Sequence, residues 1–208
     1  MTLDFHLATG PLSRSDAKHA ARVSARAFLD DAYFSYLLPD ERARSRALEL
    51  LFAAQIRRGG EHARTVTVRD ERHQIVGVAV WFGPGHWPPS VGTQLSQLPV
   101  TLRALYRHPR ALRLGATYIN AVLKVHPKEH HWYLALIATD LTVQRRGAGT
   151  LLMNEGIEQM KLDGVGGYLE TQKEENLAFY NRFGYDLRET LHPVAGGPPY
   201  FTMWKPAP

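Results

Sequence analysis

"DLTVQRRGAGTLL", residues 140–152, decides how the rest of the chain is read. Arg145 and Arg146 run into Gly147-Ala148-Gly149, and an apolar segment with helical spacing follows. Glycines at a helix start expose backbone amides, and the helix dipole adds partial positive charge there. Together they form a cradle for an anion. Upstream, "HHWYLALIATD" (130–140) is apolar at odd and even positions alike. Simple alternation puts Trp132, Leu134, Leu136 and Ala138 on one face and Tyr133, Ala135, Ile137 and Thr139 on the other. That pattern predicts a central strand covered on both sides. Downstream, Met153, Ile157 and Met160 repeat along one helix face.

Two nucleotide readings of the loop fail on single residues. A P-loop requires a Lys after its last glycine, and none stands here. A dinucleotide site requires a third glycine where this chain has Leu152, although Gly147, Gly149 and the later Glu170 imitate the rest. A tight structural turn without a ligand is the plain alternative.

Working outward, residues 2–8 alternate as a first strand, and Ser13 or Ser15 can cap a helix over 16–29. "DDAYFSYLLPD" (30–40) is expected as an aromatic-rich turn. A helix over 40–58 should stop at Gly59-Gly60. "ARTVTVRD" and "QIVGVAVWF" read as paired strands, and "GPGHWPPS" as a loop held by prolines. Residues 93–125 look helical with a break at Pro109. "GYLETQ" is a short strand, "EENLAFYNRF" a short helix, and "YDLRETL" and "YFTMWK" a last antiparallel pair. The expected fold is α/β: a mixed central sheet flanked by helices, in one domain over 1–208, with 93–125 as a helical insertion before the central strand.

The bulk numbers exclude several functions. The 208 residues contain no cysteine, so disulfides, thiolate metal sites and cysteine nucleophiles are out. No apolar stretch reaches the roughly 18 residues of a membrane helix, and "MTLDFHLATGPLSRSD" has no signal-type apolar core. A cytoplasmic protein is expected. The net charge of +5 fits an acidic partner. No Lys/Arg block or aromatic-basic run points to nucleic acid, so a polyanionic small molecule is the better match. No His/carboxylate pattern suggests a metal, and none is expected.

Gln144-Arg145-Arg146-Gly147-Ala148-Gly149 matches the Q/R-x-x-G-x-G/A motif of the GNAT superfamily of N-acetyltransferases, and more than the hexapeptide resembles that family. "HHWYLALIATD" is similar to its pantetheine-pairing strand, and "ENLAFYNRFGY" to its N-x-x-x-x-Y-x-x-x-G-[FY] helix. The order of strand, loop, helix, strand and helix agrees over 130–186. "HPKEHHWYL", "YLETQ" and the terminal "MWKP" are most similar to members acting on aminonucleoside antibiotics. The first half of the chain matches loosely, and Leu141 stands where such proteins usually have Pro.

The resemblance implies a mostly antiparallel sheet and acetyl-coenzyme A as co-substrate. Gln144, Arg145, Arg146, Gly147, Ala148, Gly149 and Thr150 would hold the pyrophosphate. Ile137, Ala138 and Thr139 would pair with the pantetheine arm through their backbone, and Asn176 would bond to it. Tyr180 would protonate the leaving thiolate. Glu170 is the candidate base or amine-orienting carboxylate, with His130 and His131 as rivals. Asp31, Phe34 and Trp132, with Tyr33, Tyr36 and Trp87 nearby, are the candidate acceptor contacts. The implied reaction moves an acetyl group to a primary amine of a small molecule. Acetylation of a protein N-terminus or lysine, or a non-catalytic acyl-coenzyme A sensor, are the alternatives. The state of assembly, monomer or dimer, is left open.

Overall fold

Helix formation begins at Ser13, whose hydroxyl accepts from the amide of Asp16 and caps α1 (Arg14–Ala27). The computed structural model describes residues 4–58, 63–88 and 91–208. Before α1 lies β1 (His6–Thr9), and after it come α2 (Ala32–Leu37) and α3 (Glu41–Arg58). Then follow β2 (Ala63–Arg69), β3 (Ile75–Phe82), α4 (Val91–Leu105), α5 (Pro109–Val125) and β4 (His131–Thr139). The chain closes with α6 (Ala148–Asp163), β5 (Gly166–Thr171), α7 (Glu175–Asn181), β6 (Asp186–Leu191) and β7 (Tyr200–Lys205).

The strands form one sheet in the order β1-β2-β3-β4-β5-β7-β6. Only β4 and β5 run parallel; the other neighbours are antiparallel. The mixed, mostly antiparallel sheet flanked by helices is the architecture expected from the sequence. On one face α6 buries Leu152, Met153 and Met160 against Val66, Ala79, Trp81, Leu134 and Leu169. Gly156 lets this helix lie on the Trp81 indole, which a Cβ would strike. On the other face, alanines 17, 20 and 21 of α1 and Leu48, Phe52 and Ile56 of α3 cover Val78, Val80, Leu136 and Ala138. A third cluster joins α2 to α4 and α5 through Tyr33, Leu37, Leu105, Leu114 and Tyr118.

Three expectations change. Residues 32–37 form a helix, not a turn, because the Asp31 carboxylate accepts from the amide of Tyr33 and caps it. The first strand is shorter than expected, with residues 1–3 outside the described ones. Gly59-Gly60, the expected stop of α3, also lies outside them.

The third concerns β4. Val80 pairs with Leu136 and Trp81 with Leu134, so Ala135 is an extra residue: a β-bulge. Its carbonyl accepts instead from Gln55 Nε2 of α3 at 3.0 Å. The bulge reverses the side-chain alternation. Trp132 and Leu134 face α6, whereas Leu136 and Ala138 face α1 and α3. The single uninterrupted face read from the sequence is therefore wrong. Simple alternation assumes period two throughout, and one inserted residue shifts everything after it.

Candidate active site

The bulge also ends a pairing. β4 and β5 are in register from His131↔Gly166 to Leu134↔Leu169, and no further. Beyond Leu134 the strands diverge, leaving the β5-facing edge of residues 135–139 without a strand partner. Residues 170–171 of β5 are likewise unpaired toward β4. A wedge with free peptide groups on its walls can receive an extended amide-bearing chain as an added strand. Ile137, Ala138 and Thr139 line one side of it.

The glycine loop sits at the wide end. Asp140 accepts from the amide and hydroxyl of Thr142 and starts a 3-10 turn over Leu141–Val143. Arg26 of α1 pairs with the same carboxylate at 2.6 Å. Burial pushes the Asp140 pKa up, but the Thr142 amide and Arg26 outweigh it and hold it below the usual range. Gln144 and Arg146 are exposed. Arg145 and Gly147 have φ of 61° and 96°, so the chain turns through the left-handed region twice just before α6. The φ of Gly147 favours glycine, whereas space does not demand it, since nothing lies within 4 Å of where its Cβ would be. No side chain caps α6. The amides of Ala148, Gly149 and Thr150 make no hydrogen bond to other described residues, and so remain available to an anion.

α7 closes the end of the wedge. A Cβ on Gly149 would touch Phe179 at 3.4 Å and Thr139 at 4.0 Å, so α6, α7 and β4 meet there. Asn176 Nδ2 donates to Thr171 Oγ1 at 3.1 Å, which fixes its amide at the end of β5. Tyr180 is almost fully buried, and its ring packs 5.2 Å from that of Phe179. Burial pushes its phenol well above the usual tyrosine value, so it keeps its proton through neutral pH. The free edge of Ile137–Thr139, the glycine loop and α7 thus lie together, with Tyr180 buried in the core beside Phe179.

Glu170 lies on the opposite side of the bulge, beneath an aromatic wall. Tyr133 donates to its Oε2 at 2.8 Å. His126, directly after α5, brings Nδ1 to 3.8 Å from Oε1. Trp87 packs 4.6 Å from Tyr133 and 5.2 Å from Phe82. Tyr33, Tyr118 and Tyr200 form an adjoining triad with centroid separations of 4.9, 5.3 and 5.5 Å. Burial, followed by the Glu170 charge, raises the Tyr133 phenol well above its ordinary value. Phe34 packs edge-on to Tyr33 at the rim. Asp31 is only 1% exposed. Burial raises its pKa, and the nearby Lys173 opposes that shift.

Not every sequence candidate joins this group. Trp132 points to the α6 face, away from Glu170, and donates Nε1 to Asp163 Oδ2 at 2.8 Å. Its indole is a structural anchor there because the strand pleat sends residues 132 and 133 to opposite sides. His130 is exposed, whereas His131 is buried beside His126. Sequence reasoning missed His126, Tyr118, Tyr168 and Tyr200. The available signal was the mixed His/aromatic content of the segment from α5 into β4, which periodicity does not register.

A family model for the acetyltransferase (GNAT) family matches residues 23–185. Among solved structures, the chain is 26% identical to a histone acetyltransferase HPA2 and related acetyltransferase from Corynebacterium glutamicum. That match covers 97% of both chains with a TM-score of 0.71. PaiA N-acetyltransferase from Thermoplasma acidophilum, in complex with coenzyme A, shares the fold at 10% identity. There the coverage is 97% of this chain and 99% of that one, with a TM-score of 0.59. A mosquito arylalkylamine N-acetyltransferase-like protein shares it at 14% identity, covering 98% of this chain and 100% of that one, with a TM-score of 0.55. This chain belongs to the acetyltransferase (GNAT) family. It is an acyltransferase, and its reaction is acetyl-coenzyme A-dependent acyl transfer.

Proposed function

We propose that this enzyme acetylates a primary amine of a small molecule, and that an aminonucleoside antibiotic such as puromycin is the acceptor to test first. One observation carries the reading. Trp87, Tyr133, Tyr33, Tyr118 and Tyr200 cluster beside the buried carboxyl side chains of Asp31 and Glu170. An aromatic wall suits a flat apolar amine, and a carboxylate suits its ammonium. Support also comes from the "QRRGAG", "YLETQ", "NLAFYNRFGY" and "MWKP" runs, which resemble those of puromycin N-acetyltransferase.

The cleft residues fit the coenzyme. Three uncapped amides of α6, with Arg145 and Arg146 beside them, would hold its pyrophosphate. The free edge of Ile137–Thr139 and the amide of Asn176 would hold its arm. When bound, it supplies an activated thioester carbonyl and a thiolate leaving group. Glu170 would orient the amine and receive its proton. Tyr180, protonated through the neutral range, would donate to the departing sulfur. Asp31 and Phe34 would guide the amine in.

Acetylation of a protein N-terminus or lysine is the second reading, favoured by the 26% identity to a histone acetyltransferase HPA2 and related acetyltransferase. A thiol-release assay with acetyl-coenzyme A separates these. Turnover on puromycin and small arylamines, with none on peptides, supports the proposal. Turnover on peptides alone overturns it. Tight coenzyme binding with no turnover on any amine indicates an acyl-coenzyme A sensor. A cytoplasmic setting and a role in drug resistance accompany the small-amine reading. Among the described residues, no helix is long and apolar enough to cross a membrane.

A further inference from the structure

Beside the proposed acceptor site the donors Trp87 Nε1 and Tyr168 Oη lack a hydrogen-bond partner, and so does a facing pair, His126 Nδ1 and Glu170 Oε1. They face each other at 3.8 Å. Tautomer logic explains the pairing. His131 Nδ1 lies 2.6 Å from the main-chain carbonyl of Glu129. A carbonyl only accepts, so this nitrogen carries the proton. Burial, chiefly, pushes the His131 pKa down; the Glu129 carbonyl and carboxylate oppose it, and His126 and Arg188 add to it. His131 is thus neutral and its Nε2 is an acceptor. His126 Nε2, 3.1 Å away, must then donate to it. With that proton on Nε2, His126 turns its other nitrogen, Nδ1, toward a carboxylate oxygen. Oε2 of Glu170 is already occupied by the Tyr133 hydroxyl. One proton between the two facing acceptors satisfies both, with the Tyr168 hydroxyl as a second donor beside Glu170.

We propose that Glu170, His126 and His131 form a relay that carries one proton per turnover from the acceptor amine to the protein surface. The proposal rests on the N-acetyl transfer reading above. In that reaction the amine nitrogen bonds to the carbonyl carbon and the carbon–sulfur bond breaks. An ammonium acceptor sheds two protons. One ends on sulfur, delivered by Tyr180, and the other must leave the site. It passes to Glu170 and is then shared with His126 Nδ1. His126 releases its Nε2 proton to His131 Nε2, His131 releases its Nδ1 proton to solvent water near exposed Glu129, and both rings then flip back to their starting tautomers before the next turnover. His126 and His131 are positioning residues, acting through Glu170.

The surroundings suit this direction of flow. The groups facing the relay are Tyr133 from β4, Tyr168 from β5, Tyr200 from β7 and Arg188 from β6. All three phenols are pushed up by burial, so none competes for the proton near neutral pH. Burial, His126 and Arg188 together outweigh Glu129 and disfavour a lasting imidazolium on His131.

The test combines kinetics with nitrogen NMR of the free protein. With acetyl-coenzyme A and puromycin, His126→Gln should lower kcat about tenfold to a hundredfold, with coenzyme affinity unchanged. The deficit should shrink as pH rises and the amine loses its proton unaided. His131→Gln should show a smaller deficit of the same shape. In the free protein the His126 Nδ1 resonance should move when Glu170→Gln is introduced. A loss in His126→Gln that is uniform across pH, or no loss, overturns the relay. So does a His126 Nδ1 resonance indifferent to Glu170→Gln, read in a variant whose circular dichroism and Tm match wild type. No thiol release by wild type on any amine refutes the transferase reading instead, and the NMR result still decides whether the histidine–carboxylate pair exists.

Discussion

The proposed coenzyme and acceptor sides of the site are built on opposite plans. The coenzyme side comes from one near-continuous run, residues 137–150, joined by α7, and it offers mainly backbone groups. The acceptor side draws side chains from α2, the loop after β3, α5, β4, β5 and β7, which span residues 31 to 200. A backbone site depends on where glycines stand and where strands part. A side-chain pocket depends on which distant elements pack together. Substitutions should therefore separate cleanly: loop changes should affect coenzyme affinity, and changes in the aromatic wall should affect the amine.

The sharpest test lies where the two sides meet. Tyr180→Phe removes the proton donor without altering the loop. Steady-state kinetics should show kcat down about a hundredfold, with coenzyme affinity intact by calorimetry. Unchanged kcat would remove Tyr180 from the chemistry. Gly147→Val comes next. A β-branched residue at φ 96° is strained by about 1–3 kcal/mol, so coenzyme should bind about tenfold or more weakly, while the wall, read by fluorescence, is undisturbed.

Asp31→Asn tests the wall alone. Asn caps a helix about as well as Asp, so α2 should remain. KM for the amine should rise several-fold, in the range of about 1 kcal/mol. The pH dependence of stability carries a sign. Burial raises the pKa of Asp31, so the folded state binds the proton more tightly than the unfolded chain does. Its contribution falls as pH rises from the unfolded value of about 4 through the raised folded one. Asp31→Asn should remove that slope and leave Tm at neutral pH equal or higher. A lower Tm would mean the carboxylate is structural. The smallest functional effect belongs to Trp132→Phe. Loss of the Asp163 bond should cost about 1–2 kcal/mol of stability. KM for the amine and coenzyme affinity should both stay within about twofold. A large rise in KM would return Trp132 to the acceptor site.

The segment from α4 to α5 sharpens the same contrast. From the sequence it reads as an insertion with an inward apolar stripe. In the structure it delivers Tyr118 to the aromatic triad and His126 to Glu170. No spacing rule links His126 to Glu170, because their contact depends on how α5 docks on the sheet.

By itself the sequence determined the strand–loop–helix unit, the anion cradle and the class of fold. Each rests on neighbours along the chain: glycines before an apolar helix, an apolar strand before them, and a short Asn- and Tyr-bearing helix after. Tertiary structure alone decided the bulge at Ala135, the opening between β4 and β5, the removal of Trp132 from the acceptor side and the meeting of His126 with Glu170. A bulge shifts the pleat by one residue and a docking helix brings together groups far apart in sequence. Neither leaves a periodic signal, because packing between elements, not local propensity, determines both.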